Sequence, residues 1–494
     1  MKFSTKSMSV MMLGGIAAAC SAVFAQQSAA MPDSVPIPAV LPVEVLDSMY
    51  SHTPESIALN DTAAARAGQI LRISREECIA IALQDNPTIR IADMDIKRLD
   101  YSKKEVQGSL FPQIDFSGAY QRTIDLQTMR MNIGGESQSL KVGSQNTWNF
   151  AFAASMPIIA PTLWKSIQIT DVQILAALES ARSSKLDLVD QVNKAYYALL
   201  LAIATREVLQ ENYDIAKINA EVYEKQFQFG TASEYDVLRS SVALKNIEPE
   251  LLQADIAIKQ CKLQLKVLMG IDYAVDIEPT VTLAELQRDM YAYPLGAGDN
   301  ISNNSSLRSL DIQKQLLDKT LTLKKFAYLP TLGLSYNISW LSLSNGSPFK
   351  NQQFNPYSTV ALGLSVPIVS GGSRYNAMKQ TEVQIKELEL QREYLVNSLN
   401  MQVELALDNI NREAEQIASN AESMRQAKKA HDIMQKSFEI GAATYLDLRD
   451  SELANTTAQL AYYQAIYNFL VSTSELDLLL GKEESLNYTK NSQN

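Results

Sequence analysis

Side chains that do chemistry are sparse in this sequence, and none stands in a catalytic arrangement. The histidines lie far apart, His52 in a Pro-rich stretch and His431 on a helical stripe, neither beside a serine or cysteine constellation. No phosphate loop, zinc-ligand pair or Gly-rich nucleotide motif occurs. Cys78 and Cys261 fall in separate helical patterns, which reads as small buried hydrophobes rather than a disulfide framework or metal knuckle. The expectation is therefore no enzyme, no cofactor and no metal. The residues with the clearest positional logic lie in two matching stretches, FQFGTASEYDVLRS (227–240) and FEIGAATYLDLRDS (438–451). In each, a glycine suited to end a helix (Gly230, Gly441) precedes hydroxyls suited to cap the next (Thr231 and Ser233, then Thr444). Acids follow at Asp236 in the first and at Asp447 and Asp450 in the second. Acids on a first helical turn are ordinary capping or solvated groups.

These turns join long helices, and the helices recur in a doubled order. After an apolar stripe through Leu186, Val189, Val192, Tyr196, Leu199 and Ile203, the helical period runs on to Phe229. At about 1.5 Å per residue such a helix extends roughly 100 Å, far beyond a globular domain. The chain reads as a first repeat (74–270), a connector (271–303) and a second repeat (304–481), followed by a polar tail (482–494). In each repeat two segments of period two precede the long helix, at about 112–122 and 146–158, then at about 330–341 and 356–368. Between the first two, residues from about 123 to 146 read as a polar loop. The turns fall at 230–234 and 441–445.

Ahead of the repeats, residues 1–25 read as a signal peptide. Lys2 and Lys6 precede an apolar run too short to span a bilayer, and Val23-Phe24-Ala25 suits cleavage before Gln26. Cys20 would be a lipid-attachment residue, but the usual leucine three residues earlier is missing. Residues 26–73 form a Pro-rich arm or linker. The net charge of −11 argues against a nucleic-acid surface.

Each strand carries bulky apolar residues on one face and small or polar residues on the other. Ile114, Phe116 and Tyr120 alternate with Asp115, Ser117 and Ala119; Leu332, Leu334, Tyr336, Ile338 and Trp340 alternate with Gly333, Ser335 and Asn337. Export, aromatic residues near the strands, and prolines at one strand end (Pro112, Pro157, Pro330, Pro367) favour a transmembrane β-barrel over a half-buried soluble sheet. Four strands cannot close a barrel, so copies must pool them: three give twelve strands, two give eight.

The order helix, hairpin, long helix, glycine turn, helix, written twice, resembles the TolC-like outer-membrane efflux proteins over essentially the whole mature chain. IAIALQDNPTIR, the LFPQI and YLPTL junctions, SMPI and SVPI, and the two turns carry the likeness. The resemblance implies an α+β membrane protein: a trimeric 12-stranded transmembrane β-barrel, four strands per chain, continued by a long α-helical coiled-coil barrel into the periplasm. It implies a passive exit duct in the outer membrane, embedded in lipid and docked to a periplasmic adaptor (membrane fusion protein) and an inner-membrane transporter (RND, ABC or similar). It places the pore constriction at Asp447 and Asp450, as acid rings whose crowding raises some carboxyl pKa values. The tip turns, Gly230, Thr231, Asp236, Gly441, Ala442, Ala443 and Thr444, are where the adaptor would dock. The family's tyrosine and arginine gate links fall on Phe438 and Ala443, which cannot make those bonds; either the tip opens more readily or Arg449, Tyr445 or Tyr235 holds it. The rival reading is an exported periplasmic coiled-coil scaffold or adaptor, which the four alternating strands oppose.

Overall fold

The computed structural model describes residues 70–133, 136–290, 301–349 and 352–482. The chain divides into Met1–Ala67 and Gly68–Asn494, and the described residues belong to the second unit. The signal peptide, most of the arm, part of the connector and the polar tail lie outside them.

Two helices dominate: α3 (Pro161–Gln228) and α7 (Ser373–Glu439), of 68 and 67 residues. Each turns back into a 36-residue partner, α4 (Glu234–Met269) or α8 (Tyr445–Leu480). Shorter helices precede each long one: α1 (Arg75–Asp85) and α2 (Pro87–Gly108) in the first repeat, α6 (Ser305–Phe326) in the second, with α5 (Leu283–Met290) between. No described helix is long and apolar enough to cross a membrane. Above mid-length α2, α3, α6 and α7 pack side by side; below it the order is α4, α3, α8, α7. The sequence stripe is the buried one: Val192, Tyr196 and Leu199 belong to one core cluster with Ile410 and Ile466, all at most 1% exposed. The apolar core lies at this mid-length level, joined by α1, α5 and two short strands.

Those two strands correct the sequence reading. β1 (Ile70–Ile73), assigned to the arm, pairs in parallel with β6 (Asp276–Pro279), assigned to the connector. Four residues each are too few to show a period, so only tertiary pairing defines them.

The mid-level junction is built twice on one plan. The Asn86 side chain donates to the Leu268 carbonyl (2.8 Å) and accepts from the Thr88 amide (2.7 Å); the Asn304 side chain donates to the Leu479 carbonyl (2.8 Å) and accepts from the Ser306 amide (2.9 Å). Each asparagine caps one helix and ties it to the end of another. The partner helices end at Gly270 and Gly481, both left-handed, at φ +68° and +63°. A Cβ on Gly270 would lie 2.8 Å from the Asp85 carbonyl oxygen, and one on Gly481 would strike the Asn303 carbonyl.

The main sheet has the order β2-β5-β7-β8, all antiparallel: β2 (Gln113–Arg122), β5 (Asn146–Ile159), β7 (Thr331–Ser344) and β8 (Asn355–Ser365). Its register aligns the apolar faces into one. Ile114, Ala154, Tyr336 and Val360 form one row, and Met156, Leu334 and Leu362 another. Asp115, Ala153, Asn337 and Thr359 form a row on the opposite face. The outer strands β2 and β8 are exposed along their whole length. Residues read as a polar loop instead form a two-stranded ribbon, β3 (Gln127–Ile133) with β4 (Glu136–Val142). Its alternation is short: Met129, Met131 and Ile133 alternate with Thr128, Arg130 and Asn132 within a Gly/Ser/Asn-rich stretch that otherwise reads as loop.

Gly441 also has positive φ (+75°) but open space around it. Gly441→Ala should therefore cost about 1 kcal/mol of backbone strain, whereas Gly270→Ala adds a backbone clash and should cost about 3 kcal/mol. Denaturant unfolding of the detergent-extracted protein measures both; equal losses would contradict the junction as described.

Candidate functional site

The two glycine turns share one backbone design. The amides of Gly230 and Thr231 donate to the carbonyls of Phe227 and Gln226, and those of Gly441 and Ala442 to Phe438 and Ser437. This is the Schellman closure that satisfies the last free carbonyls of a helix. Three residues beyond each glycine a hydroxyl opens the next helix. Ser233 and Thr444 accept from the amides of Asp236 and Asp447, whose carboxylates accept back from the cap amide and hydroxyl. Ser233, not Thr231, is the first-repeat cap; the Thr231 hydroxyl reaches back to the Gln226 carbonyl (3.0 Å) and helps end α3.

Asp447 is thus the reciprocal acid of a capping box. The Thr444 hydroxyl (2.6 Å) and amide (3.0 Å) donate to its Oδ2 and hold the carboxyl below its ordinary range. Within one protomer the shift runs opposite to that expected from ring crowding. Because the native value is depressed, the cap contributes above the ordinary carboxylate value near pH 4 and is lost as pH falls through the lower native one. Asp447 and Asp450 are both exposed on the first turns of α8, whereas Asp236 is half-buried in the equivalent box. Gly230, Thr231, Gly441, Ala442 and Thr444 are exposed and Ala443 is half-buried.

Between the two hairpins lies a cluster with one member from each of four helices. The rings of Tyr223 (α3) and Tyr445 (α8) meet edge to face at 5.1 Å, with Phe438 (α7) 6.3 and 6.4 Å from them. The Arg239 guanidinium (α4) stacks 5.5 Å over Tyr445. Burial, then nearby Asp236 and Tyr445, push the Tyr223 phenol up to about 12. Phe438 cannot form the polar link of its family counterpart, yet it occupies the inter-hairpin seam as a packing ring.

One turn deeper, Glu452 is 3% exposed, bound by Arg449 at 3.1 Å and by the Asn219 side chain of α3 at 3.2 Å. His431 of α7 is also buried, 3.4 Å from the Ser451 hydroxyl. Of the alternative tip-holding residues, Tyr445 and Arg449 lie in this seam and Tyr235 is 68% exposed. Sequence reading missed Tyr223, Asn219, Arg239 and Glu452. The available signal was spacing: Tyr445, Leu448 and Glu452 form one helical stripe, so the glutamate occupies a core position.

The family described as outer membrane efflux protein matches residues 78–271 and 298–482 of this chain. The chain is 21% identical to the outer membrane protein TolC of Vibrio cholerae over 384 residues, covering 76% of this chain and 83% of that protein. Among solved structures, CusC superposes with a TM-score of 0.67 at 17% identity, covering 83% of this chain and 92% of that one. The open state of the Neisseria gonorrhoeae MtrE outer membrane channel superposes with a TM-score of 0.66 at 18% identity, covering 82% and 88%.

The buried acid provides a test of the seam. Arg449→Met leaves the Glu452 carboxylate with only Asn219 and should loosen the tip by about 3 kcal/mol, while Arg449→Lys retains most of the pairing. Hydrogen exchange should quicken for amides of 438–452 and stay unchanged around Val192–Leu199. No change at the tip would mean that the aromatic rings alone hold the hairpins.

Proposed function

From the premise that this chain belongs to the outer membrane efflux protein family, we propose that three copies form an exit duct across the outer membrane and periplasm. The protein is an outer-membrane efflux channel that extends into the periplasm, as its family is. The observation that carries the assembly is the sheet: one continuous apolar face and two unpaired outer strands, β2 and β8. In lipid, unpaired backbone groups cost several kcal/mol each, so those edges must find partners. Four antiparallel strands make β8 of one copy run antiparallel to β2 of the next, and three copies close a ring of twelve. From Leu332 to Trp340 the apolar face spans about 26 Å along the strand, or about 20 Å of height at a tilt near 40°, most of the roughly 25 Å apolar band of an outer-membrane barrel. The opposite face, with Ser117, Asn149, Ser335 and Asn337, suits a water-filled lumen.

The helices support the same closure. Each protomer ends in α7 on one side and in α2 above α4 on the other, and these outer helices leave apolar stripes exposed. On α7 these include Val383, Leu390, Tyr394, Met401 and Leu405, spaced by sevens and fours; on α4 they include Leu238, Val242, Leu252 and Ile256. Such seams meet as coiled coils. At the tip, Phe229 and Ile440, 82% and 81% exposed, immediately precede the two turn glycines. They suit an apolar contact with a periplasmic adaptor, which would couple the duct to an inner-membrane transporter of the RND, ABC or a similar class. The duct itself conducts passively, and the transporter supplies the energy.

Exposed Asp447 and Asp450 from three copies would ring the axis at the inner lip and favour cations. Replacing both with alanine should lower cation conductance in planar bilayers at low salt, shift the reversal potential toward zero and abolish divalent block; an unchanged channel would remove the acid ring from the mechanism. The duct reading itself predicts a heat-modifiable oligomer in the outer-membrane fraction. Fully soluble behaviour without detergent would overturn it.

A further inference from the structure

At the end of the sheet remote from the helices, residues 345–349 and 352–354, between β7 and β8, fold back onto the apolar face. Trp148 pairs with Ser342 in the register and so lies on that face. Its indole N–H donates to the Pro348 carbonyl (3.0 Å), and Phe349 packs on its ring at 5.9 Å. Tyr120 stacks on the same indole at 4.5 Å, and Phe354 meets Phe150 at 5.8 Å.

Beneath the rings the polar groups are mutually satisfied. Gln352 accepts from the Ser342 hydroxyl (2.7 Å) and donates to the Ser344 hydroxyl (2.7 Å) and the Pro348 carbonyl (3.0 Å). The Asn146 side chain donates to the Gly346 carbonyl (3.0 Å) and accepts from the Tyr120 hydroxyl (2.9 Å). Asn146 and Ser342 are fully buried, while Phe349 remains 79% exposed. The fold-back thus turns its hydrogen-bonding groups inward and a phenyl ring outward, at the upper margin of the apolar rows. Indole and phenol with their polar ends engaged, beside a bare phenyl, suit the boundary between acyl chains and headgroups.

We propose that this fold-back is a membrane-interface anchor, with Phe349 and Phe354 seated in the outer-leaflet lipid rather than in the channel mouth. The inference rests on the outer-membrane reading above. Its occupant follows from continuity: the rings extend the same face as Trp340, Phe150 and Val360, which that reading gives to lipid. The anchor fixes how deep the barrel sits and leaves the mouth clear of this connection.

The test places a bimane label at Phe349→Cys in a Cys261→Ser background, Cys78 being fully buried. Val360→Cys, on the apolar face of β8, is the control. Both proteins are reconstituted in phosphatidylcholine vesicles brominated either near the headgroup or near the chain end. The label at 349 should show blue-shifted emission and lose more intensity to headgroup-proximal bromine. Quenching of that label by aqueous iodide, or by neither agent because it is packed between copies, would overturn the anchor. If the control at 360 also ignores brominated lipid, the barrel reading itself falls, so the two failures are distinguishable.

Discussion

Among the described residues the backbone groups along the outer edges of β2 and β8 have no strand partner, and much of the architecture answers to that deficit. A sheet of four strands with one apolar face is neither a closed barrel nor half of a soluble sandwich. Put in lipid, it gains from its apolar rows and loses at its edges, and only neighbouring copies remove the loss. The even strand number matters, because it lets an antiparallel ladder continue across the junction. The helices obey the same geometry. On the two flanks of the helical layer, α7 and the α2 and α4 pair likewise leave apolar seams exposed.

The middle of the molecule carries the deepest packing. The apolar core gathers there, with fully buried Tyr196, Ile410 and Ile466, and two asparagine-and-glycine junctions lock helix ends together. Toward the tip the packing thins to aromatic rings and one buried ion pair. The tip is therefore the region where small free-energy changes move structure, its hairpins joined through Tyr223, Phe438, Tyr445 and Glu452 rather than by a deep core.

Legibility in the sequence followed the length of the pattern. Helices of 68 and 67 residues and strands of ten or more imprint their period on many side chains, and both repeats stood out. Shorter features did not. The short alternation of the β3–β4 ribbon is hidden in a Gly/Ser/Asn-rich stretch, and β1 and β6 are four residues each. The glycine turns were legible because left-handed geometry restricts residue type. Glu452 and Tyr223 were not, because a buried acid and a seam tyrosine look like ordinary helix residues until the second hairpin is beside them. Asp447 was legible as an acid near a turn; its capping partners were visible as Thr444, but the lowered carboxyl follows only from hydrogen-bond geometry.

Superposing the repeats on their turn glycines separates scaffold from function. The capping boxes correspond, Ser233 with Asp236 and Thr444 with Asp447, and so do Ser240 and Ser451, whose hydroxyls donate to the carbonyls of Val237 and Leu448. These shared contacts shape backbone. At the equivalent of exposed Asp450, however, the first repeat has Arg239, whose guanidinium lies over Tyr445 of the second hairpin. One hairpin thus sends a cation inward to hold its neighbour, and the other sends an anion outward. Equivalent backbones carrying opposite charge at one position make the hairpins non-interchangeable: the first braces its neighbour through Arg239, and the second leaves the Asp450 carboxylate exposed. The asymmetry between the hairpins therefore lies in side chains that the repeat does not share.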